Sequence, residues 1–147
     1  MVAAAVLAVG IALLTQHQGG MLPCAWCVLQ RLIFLAVAAA AGLGMLLPGP
    51  VSRRLGAGLA LLLAVLGAGA ALWQHFVAAA SASCDRTLAD RLMGATGLDS
   101  RVPEVFAAYA SCADAKVELV GLPYEFWSLA LFALLGGVAW RVLKRPA

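Results

Sequence analysis

The sequence predicts an all-α membrane protein: a four-helix transmembrane bundle with two loops on one side, the second long and carrying a short amphipathic helix. Three observations lead there. Of the 147 residues, 64% are hydrophobic and only 12% charged, whereas a soluble domain carries about 25% charged residues. A water-soluble fold of this size cannot hide so much apolar surface, because small domains leave much of their surface exposed. The apolar residues fall into four runs, and the acidic residues are confined to the stretch between the last two runs.

The runs are taken in chain order. Val2–Leu14 is 13 residues long, Val28–Leu47 is 20, Leu55–Ala80 is 26 and Phe126–Leu143 is 18. About 20 apolar residues are needed to cross some 30 Å of hydrocarbon. The second run is interrupted only by Gln30 and Arg31, the third by Gln74 and His75, the fourth by Arg141. Strands of alternating polarity, the mark of a membrane barrel, are not visible. Small residues in the third run, such as Gly56, Gly58, Gly67 and Gly69, suit close helix approach in lipid. The first run covers only about 20 Å at 1.5 Å per residue, and no cation precedes it as one would in a signal peptide. Of a short helix and a helix that begins upstream of residue 1, the second is favoured. The reading is one domain, 1–147, with transmembrane helices at about 2–15, 28–47, 55–80 and 126–143 and loops at 16–27 and 81–125.

Charge sets the orientation. All seven acidic residues lie between Ser81 and Glu125, with Arg86, Arg91, Arg101 and Lys116. Every other charge is positive: Arg31, Arg53, Arg54, Arg141, Lys144 and Arg145. The short turn bearing Arg53 and Arg54 and the C-terminal tail go to the cytoplasm by the positive-inside rule. Both loops then face the periplasm of a bacterial inner membrane, and both termini are cytoplasmic. No clustered cations on a polar face suggest nucleic acid as a partner. In the long loop, Leu88, Leu92 and Met93 are read as one face of a short helix, lying on the membrane surface or over the other loop.

The four cysteines all fall on the predicted periplasmic side. Cys24 and Cys27 form Cys-Ala-Trp-Cys at the start of the second run, and Cys84 and Cys112 lie in the long loop. An even number in an oxidising compartment reads as disulfides. Three pairings are open, of which Cys24–Cys27 with Cys84–Cys112 is the geometrically easiest. Closing the larger loop is worth roughly 3–4 kcal/mol in chain-entropy terms, so Cys84–Cys112 suits a staple as well as a redox role. The Cys-x-x-Cys pair restrains little chain and has the spacing redox proteins use. A zinc site is disfavoured because no second knuckle pairs with the first.

Two polar residues inside apolar runs complete the set. Arg31 follows Cys27 by four positions and shares its helix face. As an anchor it would snorkel to the interface; as a functional group its fixed charge stabilises negative charge on the Cys27 sulfur. His75 lies at a depth matching Arg31, beside Trp73, Gln74 and Phe76, and Trp26 sits between the cysteines. An aromatic wall, a cation and a hydrogen-bond donor at the outer leaflet suit a quinone headgroup. No flavin, haem, iron–sulfur or metal motif is present to take electrons from a dithiol, which leaves a lipid-soluble acceptor.

Pro23-Cys24-Ala25-Trp26-Cys27-Val28-Leu29-Gln30-Arg31 resembles the Cys-x-x-Cys-x-x-x-Arg signature of the DsbB family of disulfide bond formation proteins. The resemblance extends over nearly the whole chain, including the second-loop segment from Val105-Phe106 to Cys112 and then Gly121-Leu122. It implies an enzyme that reoxidises a DsbA-like, thioredoxin-like periplasmic oxidase with ubiquinone or menaquinone. By that similarity Cys84 forms the mixed disulfide with the partner and Cys112 is its loop mate. Cys24 exchanges with the loop pair, Cys27 faces the quinone with Arg31 poising it, and His75 lies near the quinone. Gln30 stands where some members carry Glu, so no acid is assigned there. The short first helix carries over no quinone contacts. The alternatives are an enzyme resembling vitamin K epoxide reductase, whose Cys-x-x-Cys comes late in the chain, and a non-catalytic, disulfide-stapled scaffold.

Overall fold

The computed structural model describes residues 2–19, 25–78, 88–107, 118–119 and 121–145, so Cys24, Cys84 and Cys112 lie outside the described residues. Four long helices form the body: α1 (Val2–Gly19), α2 (Ala25–Leu46), α3 (Pro50–Trp73) and, last in the chain, α7 (Tyr124–Lys144). The chain leaves α3 through a π-helical turn, Gln74–Ala78. Three short helices follow, α4 (Leu88–Thr96), α5 (Leu98–Arg101) and α6 (Pro103–Phe106). A two-residue antiparallel ladder then pairs β1 (Glu118–Leu119) with β2 (Leu122–Pro123) through Gly121 at φ 79°. The fold is the expected all-α bundle.

Helix ends differ from the ends of the apolar runs. Helix α1 continues through Thr15, Gln16 and His17, because a polar side chain ends a hydropathy run without interrupting the i→i−4 ladder. Helix α3 starts at Pro50, after Gly49 at φ 110°. Proline at the first helical position loses no hydrogen bond there, and Arg53 and Arg54 ride exposed on the first turn.

α1 rests on α2, α2 packs on α3, and α3 packs on α7. The core holds Ala5, Val9, Phe34, Val37, Ala60, Ala64, Phe132 and Leu135. At its centre Phe34 stacks on Phe132, 3.9 Å between ring centroids. That stack lies against Gly67, where any Cβ would strike the Phe132 ring. Nearer the other end of α2 and α3, a Cβ on Gly56 would sit 2.7 Å from the Ala40 carbonyl oxygen and 2.8 Å from Gly44 Cα. Gly56 and Gly67 thus serve the close approach the sequence suggested. Gly58 and Gly69 do not; nothing lies within 4 Å of a Cβ at either.

The outside of the bundle is apolar. Leu59, Leu62, Val65 and Leu66 are each more than half exposed, a contiguous surface that water tolerates poorly and lipid accepts. Among the described residues, three helices are long and apolar enough to cross a membrane: Trp26–Leu46, Pro50–Val77 and Glu125–Lys144. Val2–Gln18 is a shorter apolar helix beside them.

Helix α4 covers the start of α2, and of the three residues expected to share a face only Met93 packs inward. Ala89 and Met93 are buried against Trp26, Val28, Leu29 and Phe106, while Leu88 and Leu92 are 60% and 45% exposed. Residues four apart lie on one line of a helix. The 89/93 line therefore faces the bundle, and the 88/92 line turns outward.

Candidate functional site

Antiparallel packing brings the start of α2, the end of α3, the start of α7 and the end of α1 to the same end of the bundle. The buried polar side chains found there are Gln16, Gln30, Arg31, Gln74 and Glu125. Burying them in an apolar bundle costs free energy unless they are hydrogen-bonded; Arg31 bonds Gln16, Gln30 bonds Gln74 and Glu125 meets His75, each across helices.

Cys27 lies in the first turn of α2 and is partly buried. Its sulfur accepts a hydrogen bond from Gln74 Nε2 at 3.1 Å. Gln74 Oε1 in turn accepts from Gln30 Nε2 at 2.5 Å. Cysteine on α2, glutamine from the α3 end and glutamine one turn along α2 thus make a directional chain.

Arg31 is 6% exposed. It is not an anchor reaching for the interface. Its Nη1 donates to Gln16 Oε1 at 2.6 Å and to the Val105 carbonyl oxygen at 2.9 Å. The guanidinium ties α1, α2 and α6 together through these two acceptors. This explains why α1 must carry a glutamine past the end of its apolar run.

His75 follows Gln74 but faces α7. Its Nδ1 lies 2.7 Å from Glu125 Oε1, and its ring packs against Phe76 and Phe126 with centroids 4.8 and 4.5 Å away. Glu125 sits in the first turn of α7, where the helix N-terminus favours negative charge. Cys27, Arg31 and His75 lie toward the same end of the bundle, yet the residue that reaches the sulfur is Gln74.

Trp26, between the two cysteine positions, is 7% exposed and tilted against Trp73 at 6.3 Å. Its indole Nε1 is buried with no hydrogen-bond partner among the described residues.

Of the six site residues expected, Cys27, Arg31 and His75 are described and converge on one end; Cys24, Cys84 and Cys112 lie outside the described residues. Sequence reasoning missed the roles of Gln16, Gln30, Gln74 and Glu125. The signal available was their position: each falls at the edge of an apolar run, at the depth of Arg31.

A family model for the disulfide bond formation protein DsbB matches residues 1–142. Curated relatives called disulfide bond formation protein B include one from Dechloromonas aromatica, 35% identical over 143 residues, covering 93% of this chain and 82% of the relative. Another, from Aromatoleum aromaticum, is 32% identical over 140 residues, covering 92% and 84%. A third, from Polaromonas naphthalenivorans, is 32% identical over 146 residues, covering 97% and 86%. These matches take the place of the vitamin K epoxide reductase-like and scaffold alternatives. With its apolar helices and Cys27 at a buried polar end, the chain belongs to the DsbB family, as a multi-pass membrane oxidoreductase of disulfide bond formation.

Proposed function

We propose that this protein reoxidises a periplasmic thioredoxin-like dithiol oxidase and passes the two electrons to a membrane quinone, ubiquinone or menaquinone. The observation that carries the proposal is the Cys27 sulfur, hydrogen-bonded in a buried polar cluster at one end of an otherwise apolar bundle. A sulfur so placed serves a lipid-soluble acceptor better than a soluble one. The basic end of the bundle, with Arg53, Arg54, Arg141, Lys144 and Arg145, supports a cytoplasmic assignment there. The cysteine end is then periplasmic, in the bacterial inner membrane.

The residues around Cys27 fit a quinone headgroup. Trp26 Nε1 is a buried donor with no acceptor among the described residues, and the Trp26 and Trp73 rings offer apolar faces beside it. A flat ring bearing carbonyl oxygens matches such a set. When bound, a quinone supplies an acceptor for two electrons and two protons. The balance is simple: a partner dithiol becomes a disulfide, losing two electrons and two protons, and quinone becomes quinol.

Within the chain, a partner thiolate attacks Cys84 of the Cys84–Cys112 disulfide and Cys112 departs as its loop mate; the partner's second thiol displaces Cys84, and the reduced loop pair then exchanges with Cys24. Each exchange is thiolate attack on a disulfide sulfur. Cys27 is the sulfur released toward the bilayer. Arg31 holds a permanent positive charge one helical turn away, its orientation set by Gln16 and the Val105 carbonyl. His75, braced by Glu125, offers a polar group for the headgroup at the same end of the bundle.

The test is turnover of the purified chain with a reduced thioredoxin-like periplasmic protein and a defined quinone. Partner disulfide and quinol should form in equal amounts. Cys27→Ser should abolish quinone reduction, and Cys84→Ser should abolish transfer from the partner. Retention of activity by both variants would overturn the proposal.

A further inference from the structure

The two buried glutamines at the sulfur form a pair with a direction. Gln30 and Gln74 are 3% and 5% exposed, on different helices, and neither is a fixed position of the Cys-x-x-Cys-x-x-x-Arg signature. A carboxamide can present either its oxygen or its NH2 to a neighbour. Here Gln30 Nε2 donates to Gln74 Oε1. The oxygen end of Gln74 is thereby occupied, and its NH2 is the end left to face Cys27 Sγ at 3.1 Å. Gln74 is also the first residue of the π-helical turn, with its backbone N–H shared between the Ala70 and Ala71 carbonyls. Turns of this kind are found often at functional sites.

We infer that Gln74 is a positioning residue for electron transfer, its amide aimed at the Cys27 sulfur by Gln30 so that it stabilises Cys27 as the leaving group when the Cys24–Cys27 bond is broken. This rests on the proposed relay, in which an incoming loop thiolate attacks Cys24. One S–S bond forms between the attacking sulfur and Cys24. The Cys24–Cys27 bond breaks, and its electron pair departs on Cys27. An N–H donor to sulfur is worth more as electron density accumulates there, since hydrogen bonds to charged groups are roughly twice as strong as neutral ones. The Gln74 amide therefore favours the reduced pair over the oxidised one. Arg31 contributes a field of the same sign from one turn further into the bundle, without relying on this amide.

The directionality makes the inference testable by isosteric changes. Gln74→Glu puts a carboxylate oxygen where the donor was. Gln30→Glu leaves Gln74 in place but offers it an acceptor, so its NH2 turns toward Glu and its oxygen toward sulfur. If the glutamines merely fill space, both isosteric variants should be milder than Gln74→Met. The inference predicts otherwise.

The measurement is the redox equilibrium of the Cys24–Cys27 pair against a glutathione or dithiothreitol buffer. It uses the full-length chain in detergent, with Cys84→Ser and Cys112→Ser isolating the pair, and it needs no quinone. Gln74→Met should shift the equilibrium about tenfold toward the disulfide, the loss of one charge-assisted hydrogen bond. Gln74→Glu should shift it further, and Gln30→Glu about as far as Gln74→Met. Should Gln74→Met fail to fold, Gln30→Glu decides alone, because it changes neither side-chain size nor any residue touching the sulfur. Values for both Glu variants within about twofold of the parent would overturn the inference while leaving the relay standing. A parent pair that cannot be cycled between dithiol and disulfide at all would instead bring down the relay, and the inference with it.

Discussion

The two ends of the bundle are built from the same four helices and solve opposite problems. At the end bearing Arg53, Arg54 and Arg145, α2 and α3 close on each other through glycine, with Gly56 against Gly44 and the Ala40 carbonyl. Charges there stay outside; Arg54 Nη2 reaches the Arg145 carbonyl at 3.3 Å on the exposed surface, and Lys144 lies over Trp140. At the other end the helices are spaced by polar side chains that bond across the gaps. Arg31 is bonded inward to Gln16, Cys27 to Gln74, and His75 meets Glu125. In lipid, apolar side chains gain nothing by leaving solvent, so helices are held by close packing and by interhelical hydrogen bonds. This protein uses packing at one end and hydrogen bonds at the other, and the reactive sulfur lies where the hydrogen bonds are.

Substitutions at each end sharpen that contrast. The largest effect is expected for Arg31→Ala, which leaves Gln16 Oε1 and the Val105 carbonyl without this donor in a buried site. It should lower stability by about 3 kcal/mol, read by denaturant unfolding in detergent, and should weaken quinone use more than partner binding. An unchanged apparent affinity for quinone would remove Arg31 from the headgroup site. Gly56→Ala, at the opposite end, forces a methyl group against backbone and should cost about 2 kcal/mol. Activity per folded molecule should be unaffected, since the sulfur network is remote. His75→Ala strands the buried Glu125 carboxyl and should cost about 1.5 kcal/mol. A double-mutant cycle with Glu125→Gln would show how much of that belongs to the pair. The smallest effect is expected for Gly58→Ala, which meets open space and should raise stability by about 0.5 kcal/mol through helix propensity alone.

Much of this contrast was legible in the sequence, because lipid imposes long apolar runs and leaves polar interruptions conspicuous. Cys27, Arg31 and His75 stood out for that reason, and the chain direction of each run put them at one end. The pairings were not legible. Whether Arg31 meets Gln16 or solvent, and whether Gln74 or His75 reaches the sulfur, depends on the rotation of each helix about its axis. Small apolar residues on every side of α3 leave that rotation undetermined by hydropathy. The same ambiguity grouped Leu88 and Leu92 with Met93 on one face of α4, when Met93 turns inward with Ala89 and the two leucines turn outward. Helices extend beyond the apolar runs where polar residues continue them, as Gln16 does in α1 and Arg53 in α3.

The most direct test of the account uses a chain with Cys84→Ser and Cys112→Ser, its Cys24–Cys27 pair fully reduced, mixed anaerobically with quinone in a single turnover. The account predicts one quinol per protein as the pair closes to a disulfide, and none when Cys27→Ser is added. Equal quinol from the Cys27→Ser chain would contradict it.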